Sequence, residues 1–141
     1  MASPEDFLAQ AIKLLGLATC DADYRVVIDR AYYGAYHASA QFEERLPVRS
    51  KADPKNVGSH EALIQRLERP NEQLNYGLRV ISQDVGAQLR MLKPLREIAS
   101  YDLKETIHVG QAEGAIRSAR DIFEECKRGN LKVYSKSLLS G

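Results

Sequence analysis

Seven side chains, Tyr24, Ile28, Ala31, Ala35, Ala38, Phe42 and Leu46, recur along one stretch at alternating steps of four and three. At about 100° per residue an α-helix gathers such positions onto one stripe, whereas a strand would scatter them over both of its faces. The segment is therefore read as a long amphipathic helix ended by Pro47, whose small central residues let neighbouring elements pack closely. A stripe of this length must be covered, and the remaining segments offer helices to cover it.

Before it, Ser3 is placed to cap a first helix with Pro4 at its first position and Asp6 reaching back, and Phe7, Ala11, Leu14 or Leu15, and Ala18 carry the period to about Leu17. After it, Pro47, Asp53, Pro54, Asn56 and Gly58, with Arg45, Arg49, Lys51 and Lys55 among them, read as a basic, mobile loop. A short third helix is expected from Ser59 as its cap, through Leu63, Ile64 and Leu67, to Pro70. Leu74, Leu78, Ile81, Val85 and Leu92 define a fourth, expected to stop at Pro94 because a proline interrupts the hydrogen-bond ladder. Ala112, Ala115, Ile116, Ala119, Phe123 and Cys126 define a fifth, with Lys127 and Arg128 suiting its negative end and Gly129 its exit. The expected fold is all-α, an up-and-down bundle of about five helices forming one domain over 1–129, followed by a C-terminal tail, 130–141.

Composition narrows the function classes. With 20 basic against 19 acidic residues the chain carries no global field for nucleic acid, so any RNA site must be local. Cys20 and Cys126 lie far apart without metal-ligand spacing, and no targeting segment or run of roughly 20 apolar residues is present. A cytoplasmic protein without metal, cofactor or membrane role is the simplest expectation.

The residues that carry chemistry sit on the second helix. Arg30 and His37, seven apart, fall within roughly 20° of each other on the helical wheel, away from the apolar stripe. Tyr33, Gly34, Gln41 and Glu44 flank them, and Tyr32, Tyr33 and Tyr36 all fall off the stripe, so a covering body is expected, either another helix or a second copy of the chain. Within one chain the two alpha carbons are about 10 Å apart along the axis, and helical side chains lean toward the amino end, which carries the Arg30 head away from His37. Two antiparallel copies would instead bring the Arg of each toward the His of the other. Such a pair suits metal-independent cleavage of an RNA phosphodiester: histidine titrates near neutrality and can move the proton, and arginine can fork two donors onto the phosphate.

The run Asp29-Arg30-Ala31-Tyr32-Tyr33-Gly34-Ala35-Tyr36-His37-Ala38 resembles the second-helix signature of HEPN domains, an Arg followed after four to six residues by His. Gly58-Ser59-His60-Glu61 resembles that family's Ser-His start to a middle helix. Leu95-Arg96-Glu97-Ile98-Ala99-Ser100-Tyr101-Asp102-Leu103 resembles its Arg-x-x-Ala-Asp-Tyr-Asp segment. The likeness extends over about 24–128. It implies a homodimeric ribonuclease of the toxin-antitoxin or defence type with Arg30 and His37 as its catalytic residues, held in check by an antitoxin. Active members often carry Asn, Asp or His directly after the Arg, where this chain has Ala31, and an acidic residue four before it, where this chain has Val26. The family's His-x-Tyr variant, modified by a nucleotidyltransferase, is not matched, because Ser39 takes the tyrosine's place.

Among the remaining candidates, Tyr33, Arg49 and Lys51 are expected to touch RNA. His60 reads as a capping or packing residue, and Arg96, Tyr101 and Asp102 as structural support locking the bend after the fourth helix. A second function class stays open, a non-catalytic assembly module docking a partner protein such as a nucleotidyltransferase through the tyrosine face.

Overall fold

The computed structural model describes residues 1–140, with side chains as far as Tyr134. Its five helices are α1 (Pro4–Leu17), α2 (Asp21–Glu44), α3 (Ser59–Glu68), α4 (Tyr76–Tyr101) and α5 (Val109–Ser140), and no strand occurs among the described residues. The protein is an all-α bundle, and none of these helices is long and apolar enough to cross a membrane.

Helix α2 lies at the centre, in contact with each of the other four. Its stripe is buried as the spacing predicts, from Ile28 through Leu46, with Tyr24 half-buried. The burial is wider than a single stripe, since Val27, Tyr32 and Ser39 are also inside. A helix surrounded on several sides cannot keep a clean polar back. Tyr32, expected off the core, is only 1% exposed, because α3 and α4 close over that side.

Three boundaries differ from expectation. Ser59 is the first residue of α3 and Gly58 its cap position, without a side-chain cap bond. Pro94 does not stop α4, which runs on to Tyr101. An interior proline costs about 3 kcal/mol, but Ala99 beyond it is buried and Leu95 and Ile98 pack on the core in part, apolar burial that opposes this cost. Gly129 is likewise no exit. A Cβ at this position would overlap the Phe42 ring, so the glycine admits α2 to close contact, and α5 continues through the expected tail with Val133 against the core. Gly141, the last residue of that tail, lies outside the described residues.

The connection between α2 and α3 is tied down in its first half. Glu43, 2% exposed on α2, is gripped by both Arg49, through Nε and Nη2, and Arg66. Asn71 donates to the Arg49 carbonyl at 3.0 Å and Ser50 to that of Arg69 at 2.6 Å. The basic loop read from sequence is thus pinned at Arg49, by a carboxylate rather than free for phosphate.

Arg25 of α2 closes the end of α4. Its Nη1 donates to the carbonyls of Ile98, Ala99 and Asp102 at 3.0, 3.1 and 2.9 Å, its Nη2 to that of Glu105, and its Nε to Asp21 at 2.6 Å. The lock on this bend is therefore Arg25. Of the three residues expected to form it, Asp102 takes part through its backbone carbonyl, while its carboxylate accepts from the Lys104 N–H.

Gly34 sets the approach of α1. A Cβ there would lie 2.9 Å from the Pro4 carbonyl oxygen and 3.3 Å from the Leu8 nitrogen. Alanine is worth up to about 1 kcal/mol over glycine in a free helix, but backbone on the far side cannot give way, and overpacking of this kind costs about 1–3 kcal/mol. Gly34→Ala should therefore lower the free energy of urea unfolding, and a more stable variant would show that α1 does not sit on this residue.

Candidate functional site

One side of α2 remains open along its length. Val26, 46% exposed, Tyr33, 40% exposed, and Gln41 lie on it, with Arg30 and His37 half-buried between them. The Arg30 side chain makes no hydrogen bond or ion pair with the described residues. Val26, one turn before it, supplies no carboxylate.

On the α1 flank, Phe7 meets the Tyr33 ring edge-on at 4.6 Å, and Tyr33 in turn lies 4.2 Å from the His37 ring, tilted by 59°. The close approach at Gly34 brings the start of α1 here. Ala2, Ser3, Pro4 and Phe7 then form, with Tyr33, His37 and Gln41, a cleft of about 200 Å³. His37 is on its wall.

On the other flank stands a second aromatic group. Tyr36 presents its ring to His37 at 5.1 Å and 83°, and stacks on His60 of α3 at 4.0 Å and 19°. Tyr32 lies stacked 5.5 Å from the same imidazole, and its hydroxyl is 2.9 Å from His60 Nδ1. From α4, the Arg96 guanidinium lies 5.7 Å from the Tyr32 ring centre and 5.4 Å from that of Tyr101, with Asp29 of α2 at 3.6 Å. Cation–π contact of this kind is attractive where water is largely excluded.

The electrostatics follow from this packing. Burial, then the positive charges of Arg96, Lys93 and His37, hold the His60 imidazole below its ordinary value of 6.5. Burial also raises the Tyr32 hydroxyl well above its ordinary range, so it stays protonated. Neither cysteine joins this chemistry: Cys126 is buried against α2, its thiol pushed up to about 12, and Cys20 lies exposed ahead of α2. Among the described residues no group of three or more His, Cys, Asp or Glu is gathered as a metal site would gather them.

Of the residues singled out from sequence, the fold brings His37, Tyr33 and, through Tyr36, His60 into one cluster. Arg30 shares their helix face, with no cation–π contact to these rings among the described residues. Arg49 is committed to Glu43, and Lys51 stands exposed beyond it. Tyr101 is 71% exposed and serves as the outer ring under Arg96. His60 does not cap α3 but packs and hydrogen-bonds against α2. What sequence reasoning missed is that Arg96 and Lys93 of α4 act on His60, a contact between helices that no spacing within one helix reveals. Comparison with protein-family models, with curated proteins and with solved structures finds no match for this chain.

The His60 environment is open to test by nuclear magnetic resonance. Its titration midpoint should fall below 6.5, and Arg96→Gln should raise it, because a positive neighbour that opposes protonation is gone. A midpoint that stays or falls on that substitution would contradict this electrostatic picture.

Proposed function

We propose that the protein is a metal-independent endoribonuclease of HEPN type, a toxin or defence effector of the cytoplasm, whose site forms where two copies meet along the open face of α2. The observation that carries this reading is the state of that face: an accessible His37 among aromatic rings, in line with an arginine that has no hydrogen-bond or ion-pair partner among the described residues. An unpaired, half-buried guanidinium is well suited to an external anion.

In this reading, neutral His37 of one copy takes the proton from a ribose 2′-hydroxyl, and the 2′-oxygen attacks the adjacent phosphorus. The bond to the 5′-oxygen breaks as that oxygen takes a proton from solvent, leaving a 2′,3′-cyclic phosphate, a 5′-hydroxyl and the proton held on His37. Arg30 from across the two-fold neutralises charge gathering on the phosphate oxygens. Tyr33 offers a face for a base to stack on, and exposed Lys51 a point for the RNA backbone. Arg49, held by Glu43, has no share in it. An antitoxin would silence the protein by covering the same face.

A second reading has one observation in its favour. Val26 and Tyr33 expose apolar surface beside Arg30, which also suits a docking face for a partner protein such as a nucleotidyltransferase.

Purified protein should cleave RNA in EDTA and leave cyclic phosphate ends. His37→Ala should reduce the rate by about 10²–10⁴-fold while the melting temperature stays near that of the parent. Cleavage persisting at the parental rate in that variant would falsify the assignment. A chain inactive on RNA that still captures its partner, and loses it on Tyr33→Glu, would favour the docking module.

A further inference from the structure

We infer that His60 works in this site as a neutral hydrogen-bond donor to a phosphate oxygen, through Nε2–H, and that Tyr32 is the positioning residue that fixes its tautomer. The inference rests on the ribonuclease reading and adds a second, chemically different histidine to it.

The Tyr32 hydroxyl is the starting point. The residue is 1% exposed, and the only polar contact of its hydroxyl among the described residues is His60 Nδ1 at 2.9 Å. That hydroxyl keeps its proton, since burial opposes its ionisation. If it did not donate to Nδ1, its proton would be buried with no acceptor, an arrangement folded chains avoid. Nδ1 is therefore the acceptor of this bond, and the ring proton of neutral His60 resides on Nε2.

Nε2 diverges from Nδ1 across the ring, away from the Tyr32 hydroxyl. It hydrogen-bonds to no described residue, yet it is absent from the buried side-chain atoms left without a partner, so it has access to solvent. Tyr36 stacks on this imidazole at 4.0 Å and meets the His37 ring edge-to-face at 5.1 Å, so the two histidines flank one tyrosine on the same side of α2. The charged groups around it are Arg96 and Lys93 from α4, Glu61 next to it on α3, and Asp29 and His37 from α2. Lys93 is shared between Glu97 at 3.0 Å and Glu61 at 3.9 Å, and Glu61 also receives Arg90, so these charges are largely spent on one another. Arg96 forms an ion pair with Asp29 at 3.6 Å, beyond hydrogen-bond distance, and its buried Nε has no hydrogen-bond partner. Burial first, and then the positive charges of Arg96, Lys93 and His37, oppose protonation of His60, so the ring stays a neutral donor through Nε2.

The division of labour follows. A neutral imidazole with its proton on the exposed nitrogen is a poor base at that nitrogen and a good donor to a phosphate oxygen. His37, whose ring makes no hydrogen bond to the described residues, is free to exchange its proton.

Long-range proton–nitrogen correlation spectra of the full chain at pH 7 should show His60 as the Nε2–H tautomer, and Tyr32→Phe should let it average between the two. Saturation with a short 2′-O-methyl RNA, which cannot be cleaved, should shift the Nε2 resonance. His60→Ala should lower kcat by about 10²-fold, the usual cost of one aimed donor, and His60→Gln, whose amide can still donate, should recover most of that loss. The His37 limb of the pH–rate profile should stay where it is in both variants. An Nδ1–H tautomer, an Nε2 resonance indifferent to the bound RNA, or His60→Ala cleaving at the parental rate would overturn the inference. A parent chain that cuts no RNA would defeat the ribonuclease reading alone, and the tautomer and the RNA-induced shift would still decide the role of His60.

Discussion

The buried guanidinium of Arg25 holds together the part of the bundle on which the site is built. The last carbonyls of any helix lack intrahelical donors, and here one side chain of α2 satisfies that of Ala99, adds a second donor to that of Ile98, which also accepts from the Asp102 N–H, then reaches on to Asp102 and Glu105. Asp21, a turn earlier, pairs with Arg25 and accepts from the Ile107 N–H, so both sides of the α4–α5 connection are tied to the start of α2. The Ile107 bond and then the Arg25 bond hold the Asp21 carboxyl below its ordinary value. With the end of α4 fixed on α2 in this way, Arg96 comes to rest over Tyr32, and the helix continues past Pro94 instead of bending away.

From that fixed frame the two flanks of the α2 face follow. Gly34 lets α1 press down on one side and deliver Phe7 and the start of the chain to Tyr33 and His37. On the other, α3 lays His60 over Tyr32 and Tyr36, and α4 sets Arg96 beside it. Only the strip from Val26 to Gln41 is left open. The chain's own helices thus account for most of the aromatic cover that three tyrosines demanded, and what they leave open is the Arg30–His37 line.

Much of the fold was legible in the sequence because it rests on periodicity. The stripe on α2, the capped start of α1 and the apolar repeats of α3, α4 and α5 all lead to a helical bundle. Pro94 and Gly129 are local stop signals that tertiary packing overrides, with Leu95, Ile98 and the Phe42 ring deciding the outcome. Tyr32 lies off the stripe yet inside the core for the related reason that one stripe cannot describe a helix buried on several sides. Arg25 left no trace, since its partners are backbone carbonyls, which carry no residue code. The site was half legible: His37 and Arg30 stand out by spacing on one helix, whereas the grouping of His60 with Tyr32, Tyr36 and Arg96 depends on how three helices are set against each other.

What the reading of function needs most is evidence that Arg30 of one copy serves His37 of the other. Arg30→Ala and His37→Ala chains, each inactive alone, can be co-expressed so that they pair at random. Composite sites across a two-fold predict that half of the dimers carry one intact site of two, restoring about a quarter of the parental ribonuclease activity. A mixture as inactive as either variant by itself would contradict a site shared between copies.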